Sequence, residues 1–424
     1  MPKTLFMLSF LVGLTCLNNA YAYLPISNDD YYRVVMLNGT DVPPMMGMEI
    51  EELAVFAVYE GNLEPIPYQI DEYNVGGAVY FEDWDEAIDG TLGIVDGNDK
   101  LLVLLGGSGP RKTPEMPVDG TMVAEIELET KSGEHRYVYV VKASRLRSDA
   151  QHVRYSIDES HVETDFYAMT FDKENQLIWK DFKYADYEGD SPIDGLKLNF
   201  ESGLFSSGNT LRFDNDRFVA KTIGENVGPI RTTAQLHLVF ILLGMEFIDV
   251  SIQLHFYPNG LIYDVRFIMP KVRRAMLIDP KLAMSVDFNN LIGAEGIADI
   301  LEYPLLADGL MSDLELHAVG RPFPEDETGL LLRTQRGFSI LTFLDWAGDD
   351  ALTTTLYYKD NLEHQGNLDR FKGQVPDAGY QVSNFPEEGL VAFVASIYFG
   401  DNFKDKPKAL SEFVRSSPAI RVNY

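Results

Sequence analysis

The feature that most constrains the fold is an alternation of apolar and polar residues with a period of two. It is longest over residues 248–269, where two alternating runs flank the turn sequence Pro258-Asn259-Gly260. Successive side chains of a strand point to opposite faces of its sheet, so this stretch predicts a β-hairpin with one apolar face. A second hairpin is predicted over residues 122–141. Further strands are predicted at residues 53–59, 101–105, 330–333, 338–343, 353–358 and 390–398.

Helical patterns are few, and only residues 297–302 and 407–414 predict short helices. A chain of many strands separated by turn residues favours antiparallel sandwiches over a βαβ fold. We therefore expect a mostly β protein with antiparallel β-sandwich architecture. The composition changes over residues 142–155, which predicts a small N-terminal β-domain at residues 23–145 and a larger sandwich at residues 146–424.

The N-terminus has the pattern of a secretory signal peptide. Lys3 precedes an apolar run at residues 5–17 that is short for a membrane span, and Ala20-Tyr21-Ala22 follows it. Cleavage after Ala22 would remove residues 1–22, including Cys16, the only cysteine of the chain. The sequence thus predicts a periplasmic or secreted protein without disulfides.

The chain is strongly acidic, with 65 Asp and Glu against 35 Lys and Arg and a formal net charge of −30. This charge disfavours nucleic acids and anionic membrane surfaces as partners. It is compatible with divalent cations, with a cationic partner, or with an acidic surface that only faces water.

Oxygen-bearing side chains concentrate in the loop at residues 83–99. Calcium takes six to eight oxygen ligands, which closely spaced Asp and Asn can supply. The EF-hand pattern is not met, because Ile88 stands where its glycine belongs. The alternative is that these side chains form turns with the backbone and face water. The candidate calcium ligands are Asp83, Asp85, Asp89, Asp96, Asn98 and Asp99.

The common catalytic motifs are missing from the sequence, including Gly-x-Ser-x-Gly, His-Glu-x-x-His and the phosphate-binding glycine loop. One sheet face nevertheless carries a possible catalytic set, since the alternation places His255 and Tyr257 together, with Arg266 on the returning strand and Arg231 as a further candidate. A phenol or imidazole that abstracts a proton and cations that neutralise a uronate are what a β-elimination lyase needs. An ordinary solvated sheet face has the same composition.

Three tryptophans, Trp84, Trp179 and Trp346, lie close to acidic residues in the sequence. An indole ring can stack on a sugar while carboxylates bind its hydroxyls. The alternative is that each ring anchors the end of a strand.

Residues 65–72 (PIPYQIDE) and 96–111 (DGNDKLLVLLGGSGPR) resemble the opening of secreted bacterial proteins of unknown function that carry a Pro-x-Gln-x-Asp segment and an Asp-rich turn. The long hairpin of the second half is similar to the broad sheets of galactose-mutarotase-like sandwiches in carbohydrate-active proteins. This resemblance implies a carbohydrate-binding protein, and the signal peptide predicts that it acts outside the cytoplasm. The alternatives are a polysaccharide lyase or hydrolase, and a structural or assembly factor of the cell envelope.

Overall fold

The computed structural model describes residues 28–82, 86–184, 189–242, 245–347, 352–363, 371, 375–401 and 403–424. The predicted signal peptide lies outside these residues. The α-helices are α1 (Asn28–Tyr31), α2 (Lys271–Arg274), α3 (Asp313–Ala318) and α4 (Pro407–Arg415), and short 3-10 helices cover Gly39–Asp41, Pro43–Met45, Ile50–Glu52, Leu105–Gly107 and Asn215–Arg217. In the part of the chain that the structure describes, no helix is both long and apolar enough to cross a membrane.

Strands dominate the chain, as the alternation predicts. In chain order they are β1 (Val34–Asn38), β2 (Leu53–Tyr59), β3 (Asn62–Pro65), β4 (Gln69–Asp71), β5 (Lys100–Leu104), β6 (Thr121–Glu129), β7 (His135–Lys142), β8 (Val153–Ser156), β9 (His161–Thr164), β10 (Tyr167–Phe171), β11 (Trp179–Tyr184), β12 (Ile193–Leu204), β13 (Ser206–Phe213), β14 (Ala220–Val227), β15 (Thr232–Leu242), β16 (Met245–Tyr257), β17 (Gly260–Met269), β18 (Leu277–Phe288), β19 (Glu295–Ala298), β20 (Leu305–Leu306), β21 (Leu330–Arg333), β22 (Ser339–Ala347), β23 (Thr353–Lys359), β24 (Asp377–Ser383), β25 (Gly389–Gly400) and β26 (Ile420–Asn423).

The strands form antiparallel sheets packed as sandwiches, which confirms the predicted fold class. A nine-stranded sheet has the order β14-β15-β16-β17-β25-β22-β21-β19-β20, and a five-stranded sheet has the order β13-β12-β18-β24-β23. A four-stranded sheet runs β11-β10-β9-β8. The N-terminal part holds a three-stranded sheet, β1-β5-β4, and a second five-stranded sheet, β26-β6-β7-β2-β3.

Both predicted hairpins are present as the pairs β6–β7 and β16–β17. The helix predicted at residues 407–414 is confirmed by α4. The helix predicted at residues 297–302 is wrong, because Glu295–Ala298 is a strand that pairs with both β20 and β21. Pairing with neighbouring strands outweighs a weak local helical preference. Helix α3 was not predicted, although Ser312 and Glu315 form a capping box at its start.

The main hydrophobic core lies on the apolar face of the β16–β17 hairpin. Ile252, Leu254 and Phe256 are buried there with Leu261 and Tyr263 of the returning strand. The same cluster includes residues of β12, β18, β24 and β25, so it joins the nine-stranded and five-stranded sheets. The period of two seen in the sequence therefore marks which side of each strand faces this core.

The C-terminal strand returns to the N-terminal part of the chain, where β26 pairs with β6. Ile420 and Val422 pack against a separate N-terminal core that includes Leu37, Val103 and Ile126. The N-terminal sheet thus contains a segment from the other end of the chain. The division near residue 145 stays a prediction.

Candidate functional site

A polar cavity of about 510 Å³ lies on the outward face of the five-stranded sheet β13-β12-β18-β24-β23. Asp287 of β18 lies opposite Asp377 of β24, and Asp377 lies opposite Lys359 of β23. In the neighbouring row of side chains on the same face, Lys197 of β12 and Tyr357 of β23 lie on either side of the central strands β18 and β24. We call Lys197, Asp287, Tyr357, Lys359 and Asp377 the polar site.

The strand alternation explains why these side chains share one face. On β12, Leu196 and Leu198 contact the main core, so Lys197 between them points the other way. On β24 and β23, Ala378 and Tyr358 are likewise part of the core, next to polar neighbours that line the cavity. Burial of the apolar positions thus determines which residues form the polar site.

Two carboxylates face each other at the centre of the site. Residues directly opposite on antiparallel strands have Cβ atoms about 4.5–5.5 Å apart, and like charges at this spacing repel. Asp287 is only 6% exposed, and its Oδ2 lies 3.4 Å from the Nζ of Lys197. Lys359 faces Asp377 from the other side. The two lysines therefore offset the repulsion between the acids.

Asp377 is bound to the phenol of Tyr357. The Tyr357 hydroxyl donates to Asp377 Oδ2 at 3.2 Å. Burial raises the pKa of Asp377 above its ordinary value, while the Ser285 hydroxyl, Lys359 and Lys197 act to lower it. Burial and the neighbouring Asp377 also raise the pKa of Tyr357. The phenol consequently stays protonated, and the site holds a carboxyl group that protonates more readily than an exposed one.

Gly379 lies between Ser285 and Tyr357 in the strand register. A Cβ at this position would lie 2.2 Å from the backbone oxygen of Met284 and 2.6 Å from the Cα of Ser285. Only glycine therefore fits here without moving β18. Its missing side chain leaves the space in front of Tyr357 open.

The rim of the cavity adds amide, charged and aromatic groups. Asn199 and Gln381 supply amides, and Arg212 and Lys281 supply cations. The lining includes four basic and four acidic residues, whereas the whole chain has nearly twice as many acids as bases. The cavity thus differs in charge from the acidic chain around it. The remaining residues that line it are Phe200, Glu201, Phe213, Asp214, Asn215 and Ala283.

Of the residues predicted to be catalytic, Arg231 and Tyr257 do meet, but inside the protein. The Arg231 guanidinium pairs with Asp71 and donates to the hydroxyls of Tyr73 and Tyr257, each at 3.1 Å. We call Asp71, Tyr73, Arg231 and Tyr257 the buried arginine cluster. The side chains of Arg231 and Asp71 are 3% and 1% exposed. A polysaccharide cannot contact the cluster in this conformation.

Gln69 connects this cluster to the backbone of the large sheet. Its Oε1 accepts from the backbone N–H of Arg231 at 2.9 Å, and its Nε2 donates to Asp71 at 2.6 Å. A Cβ at Gly228 would lie 2.0 Å from Gln69 Oε1, so a larger residue there would displace the Gln69 side chain from these bonds. The Gln and Asp of the Pro-x-Gln-x-Asp segment therefore hold β4 to the start of β15.

His255 is close to the cluster and is also buried. Its Nδ1 lies 2.9 Å from Thr233 Oγ1. Burial, and then the positive charges of Arg231, Lys100 and Arg266, lower the pKa of His255 well below its ordinary value. The imidazole is neutral at pH 7.

Arg266 lies on the same sheet face but has other partners. Its guanidinium binds both carboxylate oxygens of Asp264, at 3.0 and 2.8 Å, and donates to the backbone oxygen of Gly76 at 2.9 Å. Nearby, the Gln253 amide bonds to the N–H and C=O of Val79 at 3.0 and 2.9 Å. From sequence alone, this polar face of the sheet could also have been an ordinary solvated surface. In the structure, residues of the N-terminal part cover it.

The tryptophans occupy different environments. Trp179 is 2% exposed, and its Nε1 donates to the Tyr263 hydroxyl at 3.0 Å, so its ring offers no face to a sugar. Trp346 is half-buried, donates to Thr354 Oγ1 at 3.0 Å and lines a small cavity of about 180 Å³. Trp84 lies outside the described residues.

The acidic loop forms a network of turns. Asp96 Oδ1 accepts from the backbone N–H of Asn98 at 2.9 Å, and Asp99 Oδ2 accepts from that of Asp96 at 2.8 Å. Asn98 donates to Asp89. The His, Cys, Asp and Glu residues of the described ranges form no group of three that could hold a metal ion. Asp83 and Asp85 lie outside those ranges, and calcium binding stays a prediction.

Sequence reasoning missed the polar site entirely. Its residues come from β12, β18, β23 and β24, and the segments of β12, β18 and β24 were not predicted as strands. The available signal was a polar residue at every second position among apolar ones, as in Lys197-x-Asn199, Ser285-x-Asp287 and Tyr357-x-Lys359. This signal places each polar residue on a face but does not show which strands are neighbours.

No known protein family matches the sequence, and no curated protein matches it. Among solved structures, the chain is similar to an α-mannosidase from Enterococcus faecalis V583, with 9% identity and a TM-score of 0.46, covering 93% of this chain and 45% of that one. It is also similar to a protein in glycosyl hydrolase family 38 from Enterococcus faecalis, with 9% identity and a TM-score of 0.45, covering 93% and 46%. The chain thus spans less than half the length of either protein.

A third likeness is to the heparan sulfate lyase HepC from Pedobacter heparinus, with 9% identity and a TM-score of 0.27, covering 44% of this chain and 22% of that one. At such identities and TM-scores, these likenesses carry no argument about activity.

Proposed function

We propose that the protein binds a carbohydrate in the polar site. The observation that carries this proposal is the meeting of carboxylates, amides and lysines with aromatic rings in one cavity of about 510 Å³. Carboxylates and amides bind sugar hydroxyls, and aromatic rings such as Tyr357 and Phe213 suit the apolar face of a sugar ring. The volume is within the range of about 300–1,000 Å³ typical of small-molecule sites.

Titration calorimetry of the protein with a panel of neutral and uronate-containing oligosaccharides tests this proposal. Tyr357→Phe and Asp377→Asn should each weaken binding of the recognised sugar at least tenfold, because each removes a group that bonds a hydroxyl. Asp249→Asn, at an exposed site on β16, is the matched control and should bind as the wild type does. Equal affinity in all variants would place the sugar elsewhere, and no binding to any sugar would favour a role as a cell-envelope factor.

A second candidate is hydrolysis of a glycosidic bond in the same site, favoured by the opposed Asp287 and Asp377. Glycosidases use one protonated and one ionised carboxyl group, and different environments can separate the pKa values of two acids. Burial raises the pKa of Asp377, whereas the ammonium group of Lys197 lies 3.4 Å from the carboxylate of Asp287. Asp377 would then be the acid and Asp287 the base or nucleophile.

Release of reducing ends from the bound oligosaccharide distinguishes an enzyme from a binding protein. Asp287→Asn should abolish release while retaining measurable binding if hydrolysis occurs. New ultraviolet absorbance from an unsaturated product would instead indicate a lyase. Binding without either signal would support the binding protein alone.

We also propose that the protein is exported, on the evidence of the signal-like residues 1–22. Expression of the full chain in a bacterium, followed by cell fractionation and N-terminal sequencing, tests this. Export with Tyr23 as the first residue is expected, and an uncleaved cytoplasmic product would contradict it.

A further inference from the structure

A second cavity, of about 180 Å³, lies on the other side of the same five-stranded sheet, between it and the nine-stranded sheet. We call it the apolar slot. Among the residues that the structure describes, every side chain that lines it is apolar except Tyr263, whose hydroxyl accepts a hydrogen bond from the indole N–H of Trp179. Water needs polar partners to occupy such a space, so an apolar molecule suits it better.

The slot extends along the strands. On β17 its lining runs from Tyr263 to Met269, which is about 20 Å of extended strand. Across the sheet, the lining also includes residues of β15, β16 and β25, so the slot spans four neighbouring strands. A hydrocarbon chain suits an apolar space that extends this far along a strand.

The two sheets are not closed tightly over the slot. Leu198, Leu282, Val250 and Phe267 point into the space between the sheets, yet each is only partly buried. In a closed sandwich, side chains in these positions interdigitate and exclude solvent. A ligand can therefore enter between the sheets.

Cations lie at one end of the slot, on helix α2. Arg273 donates to the backbone oxygen of Phe247 at 2.7 Å, and Arg274 donates to that of Leu277 at 3.0 Å. Both carbonyls belong to residues that line the slot. Neither arginine forms an ion pair with any carboxylate in the ranges that the structure describes, whereas the neighbouring Lys271 pairs with Glu388 at 3.4 Å. Two positive charges thus stand at this end, and none of the described carboxylates pairs with them.

We propose that the apolar slot binds a long-chain fatty acid, with the hydrocarbon chain between the sheets and the carboxylate at Arg273 and Arg274. The hydrocarbon chain matches the apolar lining and its extent along β17, and the carboxylate completes the charge at α2. This site is distinct from the polar site, because the two cavities lie on opposite faces of the five-stranded sheet and share only Phe200 among the lining residues that the structure describes.

Calorimetry of the delipidated full-length protein with laurate, myristate and palmitate tests the proposal. One fatty acid molecule should bind per protein chain. The Kd should fall by up to about fourfold for each added methylene, which is the ratio expected from burying one CH₂ group. Methyl palmitate, which lacks the charge, should bind at least tenfold more weakly than palmitate. An absence of binding by all three acids would overturn the proposal, and equal binding of the ester would overturn the role of the arginines.

Variants locate the bound chain. Ala395→Leu fills the slot from β25 and should weaken palmitate binding at least tenfold, and Leu198→Phe fills it from the facing sheet if the first variant does not fold. Ala392→Leu, on the opposite face of the same strand, is the matched control and should bind palmitate as the wild type does. Unchanged affinity in a folded slot variant would contradict the location. Tighter binding of lysophosphatidylglycerol than of palmitate would assign the slot to a phospholipid chain instead of a free acid.

Discussion

Asp287 and Asp377 lie directly opposite each other on β18 and β24, with Lys197 at 3.4 Å from Asp287. Since the pKa of Asp377 is raised in the fold, its ionised form is less favourable there than in the unfolded chain. At low pH, Asp377 is protonated in both states and its raised pKa does not affect the free energy of unfolding. As the pH rises above the ordinary pKa of Asp, the raised pKa lowers the free energy of unfolding.

We therefore expect Asp377→Asn to stabilise the protein by about 1 kcal/mol at pH 8 and to have little effect at low pH. Urea denaturation at both pH values measures the difference. The exposed Asp249→Asn serves as the control. Destabilisation by Asp377→Asn at pH 8 would mean that the carboxylate is held mainly by its lysine neighbours.

The pair of Asp71 and Arg231 joins two segments 160 residues apart in the sequence. Removing one partner of a buried ion pair leaves the other charge without compensation, at a cost of about 3–5 kcal/mol. We expect Asp71→Ala to lower the free energy of unfolding by this amount in chemical denaturation. The exposed pair of Arg154 and Glu163 provides the contrast, and Glu163→Ala should cost no more than about 1 kcal/mol. Similar effects of both variants would show that the buried cluster is dispensable.

The lowered pKa of His255 predicts a loss of stability in mild acid. The unfolded chain protonates this imidazole below about pH 6.5, but the fold keeps it neutral, so stability is lost as the pH falls through that value. Between pH 7 and 5 the loss attributable to His255 should reach about 2 kcal/mol. His255→Gln should have a flatter stability profile over this range, with the exposed His135→Gln as the control. Parallel profiles for the wild type and His255→Gln would refute the assignment.

Asp99 predicts a pH dependence of the opposite sign. Burial raises its pKa to about 6, and the side chain is buried beside Asp96 and Glu72. Because the fold retains the proton that the unfolded chain releases near pH 4, stability falls as the pH rises from about 4 to 6. Asp99→Asn should reduce this fall by about 2 kcal/mol, measured as the difference between the two denaturation profiles. An identical fall in both proteins would contradict it.

Calcium binding by the acidic loop has a direct test in thermal melting. A bound ion stabilises the fold, so calcium should raise the melting temperature of the wild type, and Asp96→Ala should abolish the rise. Asp214→Ala, in the separate acidic segment beside the polar site, is the control. An unchanged melt with calcium and with chelator would leave residues 95–99 as a turn that leads into β5.

The Pro-x-Gln-x-Asp segment shows how a local motif acquires a role only through tertiary contacts. From sequence it resembled part of a family, and nothing in it indicated a partner. In the fold, Gln69 bonds to the backbone next to Arg231, and Asp71 pairs with that arginine. Neither contact could be inferred from the sequence, because the partners are far apart in the chain.

Sequence alone determined the strands of both hairpins, the terminal helix α4 and the side of β16 on which His255 and Tyr257 lie. These features depend on a period of two or on local turn chemistry, which neighbouring residues specify. Only the tertiary structure decided that residues of the N-terminal part cover this face, and that β12, β18, β24 and β23 lie side by side and bring Lys197, Asp287, Asp377 and Tyr357 together. The order of strands in a sheet depends on which apolar surfaces are buried together across long sequence separations, and alternation within one strand carries no information about its neighbours.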